Sequence, residues 1–99
     1  VYTSGQIAIH PATNKVEAAD IQGQTEQVLK NLGEVLKASG TDFSRIVKTT
    51  CFLADIADFG AFNEVYGKYI TGKPARSCVA VKDLPKGALV EVEVIALTD

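Results

Sequence analysis

The segment PARSCVAV, residues 74–81, sets a permanent cation inside a strand-like run. Alternation along a strand sends Ala75, Ser77, Val79 and Val81 to one face and Arg76, Cys78 and Ala80 to the other. An arginine side chain does not lose its proton, so a partly buried Arg76 needs an anion or a hydrogen-bonding partner, supplied by the protein or by a ligand. One internal source is VEVEVIAL, residues 90–97. There Val90, Val92, Val94 and Ala96 share one face, and Glu91, Glu93, Ile95 and Leu97 share the other. If the two strands lie close, paired directly or with one strand between them, Arg76, Cys78, Glu91 and Glu93 converge and a carboxylate meets the guanidinium. The same pattern equally describes glutamates on an exposed edge bridged by an arginine at the rim, a contact of only ~0–1 kcal/mol.

Two more stretches could line a pocket. Ser4-Gly5-Gln6 is a small polar step inside a strand-like run, where a ligand or another backbone can approach closely. Asn63 stands beside a row of aromatic residues. Each has a plainer reading, as a bend and as a solvated helix face. Cys78 has no histidine near it in sequence, and the chain's single histidine, His10, falls in a turn. A buried structural thiol is therefore preferred to a nucleophile. One histidine and two separated cysteines, Cys51 and Cys78, match no metal-ligand spacing.

The elements that must position these residues follow from periodicity. VYTSGQIAI (1–9) predicts a strand and HPATNK a turn. Asp20 is the expected N-cap of a helix over about 20–39, with Val28, Leu29, Leu32, Val35 and Leu36 at helical spacing and Gly40 at its left-handed C-terminal cap. RIVKTTCFLAD (45–55) predicts a central strand. Asp55 then caps a second helix, 56–70, whose Phe59, Phe62, Tyr66 and Tyr69 are expected in the core. PARSCVAV and ALVEVEVIAL form two last strands around the KDLPKG turn. This order predicts an α+β fold, a mixed sheet with two helices on one face. Its other face is too apolar for water, which predicts a homo-oligomer.

With 99 residues the chain is expected to be one domain, 1–99, and its start in a strand without a methionine suggests that an upstream segment is missing. Ten basic and twelve acidic residues give a net charge of -2, which offers nucleic acid or an anionic membrane no general attraction. No run approaches the ~20 apolar residues of a membrane span. Two cysteines in apolar runs point to a reducing compartment, the cytoplasm, or mitochondria if a leader has been lost.

YTSGQIAIHPATNKV, IVKTTCFLADIADFGAFNEVY and KPARSCVAVKDLPKGALVEVEVIA together resemble the RidA (YjgF) family of reactive-intermediate imine deaminases. The resemblance implies a chorismate-mutase-like fold and a homotrimer with clefts between subunits. It implies hydrolysis of small 2-imino acids such as 2-iminobutanoate to 2-oxo acids and ammonia, without metal or organic cofactor. By the same resemblance Arg76 holds the substrate carboxylate, Glu91 activates water, and the Cys78 backbone meets the substrate nitrogen region. Ser4, Gly5 and Asn63 line the pocket. Phe59 and Tyr66 are left to the core. The competing functions are a ribonuclease or translation inhibitor, against which the acidic balance argues, and a non-catalytic small-acid-binding or chaperone-like oligomer. A pure anion binder gains nothing from Glu91.

Overall fold

Asp20 opens the first helix by accepting the Gly23 N–H on its side chain at 2.7 Å. In the computed structural model, which describes all 99 residues, α1 spans Ile21–Ala38. It ends as its sequence predicts. Gly40 takes φ 81°, the Gly40 N–H bonds the Lys37 carbonyl, and the Thr41 N–H bonds the Leu36 carbonyl. These two reversed bonds satisfy carbonyls that the helix end would otherwise leave bare. Val28, Leu29, Leu32 and Leu36 form the fully buried stripe of α1.

β3 (Ile46–Leu53) is the central strand, flanked by β4 (Ala75–Ala80) and β5 (Val90–Ala96). β4 runs parallel to β3 with Thr49 opposite Arg76 and Cys51 opposite Cys78. β5 runs antiparallel to it with Cys51 opposite Val92 and Phe52 opposite Glu91. The sheet is therefore mixed, as expected. Burial alternates along β5, with Val90, Val92, Val94 and Ala96 buried and Glu91, Glu93 and Ile95 half-exposed. That period of two means that one face is covered and the other bare. The covered face packs on α1 and on α2 (Phe59–Tyr69), whose Phe62, Val65 and Tyr66 are buried. On the bare face Val79 is 46% exposed.

Two expectations need correction. The second helix does not start at residue 56. Asp55 accepts the Ala57 N–H at 2.9 Å and caps a single 3-10 turn, Ile56–Asp58, which feeds into α2. Residues 1–9 are not a continuous strand either. They run antiparallel along β5 through two isolated bridges, Tyr2 to Ile95 and Gln6 to Val92. Between the bridges the N-terminal segment has one residue more than β5, so the Ser4-Gly5 step bulges out of the ladder. Only Ile9–His10 is regular; this is β1, and it pairs with β2 (Lys15–Val16) around the expected turn. His10, expected in the turn, instead ends β1 at the turn's edge, its Nδ1 accepting the Ala12 N–H at 3.1 Å.

Outside the turns, Lys73 stands out. It has φ 53° although it is neither glycine nor asparagine, and Pro74 follows it. A left-handed backbone costs a residue with a Cβ about 1–2 kcal/mol.

Candidate active site

Arg76 lies on the helix-covered face of β4, half-buried against α2. On α2, Phe59, Asn63 and Tyr66 fall at i, i+4 and i+7 and so share one side of the helix. All three reach the guanidinium. Arg76 Nη1 donates to Asn63 Oδ1 at 2.6 Å, and the guanidinium carbon lies 4.8 Å from the Tyr66 ring centroid and 5.3 Å from that of Phe59. Both rings present π electrons to the cation. Tyr66 is fixed from behind, its hydroxyl 2.8 Å from the buried Thr49 hydroxyl. Thr49 is the residue paired with Arg76 across the ladder.

The expected convergence of Arg76 and Cys78 with Glu91 and Glu93 does not occur within one chain. Arg76 and Cys78 share the face of Thr49 and Cys51, while Glu91 and Glu93 pair with Phe52 and Thr50 and project from the bare face. β3 also stands between the two strands, so roughly 10 Å of sheet separates their axes. The chain's ion pair, Arg45–Asp99 at 3.2 Å, does not involve Arg76. A neutral amide and two aromatic rings therefore hold the cation, and of its five N–H donors one is spent on Asn63. The rest of the fork is free for a carboxylate. Arg76 and Tyr66 line a cleft of about 490 Å3 together with Ile70, Thr71, Lys73 and Pro74.

Cys78 brings its backbone to the same edge. The Val81 N–H points at β3, donating to the Leu53 carbonyl at 2.9 Å. By the strand's alternation the amide groups of Cys78 and Ala80 point the other way, toward the open edge of β4. The thiols are poor nucleophiles. Burial, reinforced by the neighbouring Cys78, pushes Cys51 up to about 12; burial also raises Cys78, although Arg76 opposes it. A thiol whose pKa rises on folding stabilises the fold only while the unfolded chain also keeps its proton. Stability should thus fall as pH rises from the ordinary thiol value of 9 toward 12, by on the order of 1.4 kcal/mol per unit. Urea midpoints measured from pH 8 to 10.5 should show this slope, and Cys51→Ala should reduce it to the smaller part that the raised Cys78 contributes. A further slope above pH 10 is expected from Tyr66 and Tyr69, both of which burial also raises.

The remaining candidates gather at the opposite edge of the sheet. Gly5 and Ser4 form the exposed bulge beside β5, and Glu91 leans on Gly5. A Cβ at Gly5 would stand 2.1 Å from Glu91 Oε2, so the carboxylate occupies the space that any other residue would fill. The obstructing atom ends a flexible side chain. Gly5→Ala should therefore leave the melting temperature within a few degrees of wild type while it displaces the Glu91 carboxylate. If Glu91 serves catalysis, a rate cut by about tenfold or more would reveal that displacement.

The sequence-predicted residues thus form two groups, Arg76 with Asn63 and Cys78, and Glu91 with Ser4 and Gly5. Phe59 and Tyr66 pack on the core as expected, but they also flank Arg76, and Thr49 supports Tyr66. Sequence reading missed these roles. The i, i+4, i+7 spacing around Asn63 was the available signal.

A mixed three-stranded sheet with two helices on one face, and an arginine beside a cleft, defines a small α+β domain. The family model described as Endoribonuclease L-PSP matches residues 1–98, and the chain belongs to this family, the RidA (YjgF) family of the resemblance above. The chloroplastic Reactive Intermediate Deaminase A of Arabidopsis thaliana is 52% identical over 97 residues, covering 97% of this chain and 52% of that protein. The chain thus spans about half the length of that relative. The 2-iminobutanoate/2-iminopropanoate deaminase of Rattus norvegicus is 48% identical over 98 residues, covering 98% of this chain and 72% of the rat protein. The crystal structure of E. coli TdcF with bound serine superposes with a TM-score of 0.93 at 38% identity, covering 99% of this chain and 80% of that one. No helix here is long and apolar enough to cross a membrane.

Proposed function

We propose that the protein is an imine deaminase that hydrolyses small 2-imino acids, 2-iminobutanoate and 2-iminopropanoate, to 2-oxo acids and ammonia. The observation that carries this reading is Arg76, a cation stacked and aimed by Tyr66, Phe59 and Asn63 with no carboxylate of its own chain upon it. Relatives named for this activity support it. Arg76 binds the substrate carboxylate through its remaining fork donors, and the Cys78 backbone meets the imine nitrogen region. Glu91 takes a proton from water as the water oxygen bonds to the imine carbon, giving a tetrahedral carbinolamine. That proton passes to the nitrogen; the carbinolamine hydroxyl then gives up its own proton, which Glu91 also carries to the nitrogen, so that the C–N bond breaks, the carbonyl forms and ammonia leaves. Positioning supplies much of the acceleration, because imines already hydrolyse in water.

Within one chain Arg76 and Glu91 cannot touch the same small acid. We therefore assign each cleft to two neighbouring chains of a homotrimer, Arg76, Asn63 and Cys78 from one and Glu91, Gly5 and Ser4 from the next. The bare sheet face, with Val79 46% and Tyr2 82% exposed, is the surface that such an assembly would cover. Two free thiols fit a cytoplasmic setting. The test supplies 2-iminobutanoate in situ from threonine with a dehydratase and follows ammonia release. Faster release than in buffer is expected. A rate equal to buffer, from an intact oligomer, would remove the reading.

The family description favours a second reading, RNA cleavage. The net charge of -2 opposes it. Incubation with single-stranded RNA is expected to leave the RNA intact under conditions in which the imine is consumed.

A further inference from the structure

The cleft beside Arg76 holds a second cation that the reaction above does not use. Lys73 lines it, with Tyr66, Ile70, Thr71 and Pro74, and no acidic side chain is among the lining residues. Lys73 is exposed and makes neither an ion pair nor a side-chain hydrogen bond. Its backbone has φ 53° even though Gly72, which would take that conformation freely, is its immediate neighbour. Pro74 fixes the chain on the other side, its ring locking φ and disfavouring a helical conformation for the residue before it. The direction in which the Lys73 side chain leaves the backbone is therefore set by a strained joint that Pro74 restricts from one side. Strain of this kind persists where the surroundings over-determine it, and it concentrates at sites that aim a group.

We propose that Lys73 determines specificity, pairing with a second carboxylate on the substrate, so that the cleft favours dicarboxylic 2-imino acids over those with a neutral side chain. This rests on the deaminase reading and on Arg76 holding the first carboxylate. The geometry suits the chemistry. Arg76 is half-buried and fork-shaped, suited to the carboxylate next to the imine carbon; Lys73 is exposed in the same cleft, a point charge on a long stem suited to a second carboxylate further along the substrate. The reaction that must supply such a substrate is oxidation of an acidic amino acid at its α-carbon. Hydrolysis then gives a dicarboxylic 2-oxo acid and ammonia, with one water consumed.

The experiment compares kcat/KM for 2-iminosuccinate, generated from L-aspartate by an amino-acid oxidase, with that for 2-iminobutanoate, each corrected for hydrolysis in buffer. The ratio should fall about fivefold in Lys73→Met, the upper range for a solvent-exposed pair, and further in Lys73→Glu. Lys73→Arg should restore it, and raising the salt concentration should erode it in wild type. Lys73→Gly accepts the left-handed backbone without strain, so it removes the charge from a chain that still folds, and it should match Lys73→Met. Hydrolysis of 2-iminobutanoate with a ratio unmoved by Met, Gly and Glu would overturn the role of Lys73 alone. Failure to accelerate either imine would overturn the deaminase reading, and this proposal with it.

Discussion

Replacing Arg76 by alanine is expected to lower kcat/KM for 2-iminobutanoate by roughly 1,000-fold or more, the scale of two charge-assisted hydrogen bonds lost from a half-buried site. The side chain also packs under Tyr66 and Phe59, so the melting temperature and oligomeric state should be measured beside the rate. Arg76→Lys separates charge from shape. It keeps the cation but loses the planar fork and the flat stacking surface, and it should recover only a minor part of the activity. Asn63 aims the guanidinium through the 2.6 Å bond to Nη1, so its loss should weaken binding less than loss of the arginine itself. If Arg76→Ala keeps its fold and its full rate, the carboxylate is held elsewhere.

Glu91→Gln should separate the chemical step from binding. The amide fills the same space over Gly5 but accepts no proton from water, so kcat should fall by about 100-fold or more. Affinity for a product analogue such as 2-oxobutanoate should stay near that of wild type if, as proposed, Arg76 provides the anchor. A fall in affinity with an unchanged rate would instead make Glu91 a binding group. Gly5→Ala is the companion variant, since it leaves the carboxylate in place chemically and moves it physically. The two should share a lowered rate with a stable fold.

Local chemistry made α1 legible in advance. Asp20, the apolar spacing of Val28 to Leu36, and Gly40 all act within a few residues of one another, and each does in the structure what its type predicts. The face shared by Arg76 and Cys78, and that shared by Glu91 and Glu93, were equally legible, because alternation along a strand is local. Whether those faces coincide was not. It depends on the registers of β4 and β5 on β3, and a shift of one residue in either would carry a whole set of side chains through the sheet. The same limit applies to residues 1–9, where β-prone residues gave no warning that the Ser4-Gly5 step would leave the ladder to make room for Glu91. Phe59 and Tyr66 illustrate a third case. Their core role follows from an aromatic stripe, but their role around Arg76 depends on which strand comes to lie beneath α2.

On the proposed reading, the bare face and the divided site both call for a neighbouring chain. A carboxylate over Gly5 at one edge of the sheet and a guanidinium at the other serve one substrate only if rotation symmetry brings the opposite edges of two chains together. The cleft then contains both charges without either neutralising the other inside a single fold. It also explains why Arg76 is compensated by an amide and two rings, which leave its charge available to a ligand.

The most direct measurement mixes subunits of Arg76→Ala and Glu91→Ala, each inactive alone, by refolding them together in equal amounts. In a ring of three, every mixed assembly has one interface that joins an intact Arg76 to an intact Glu91. Random mixing should therefore recover about a quarter of the wild-type rate. Mixed trimers as inactive as their parents would contradict a site shared between chains.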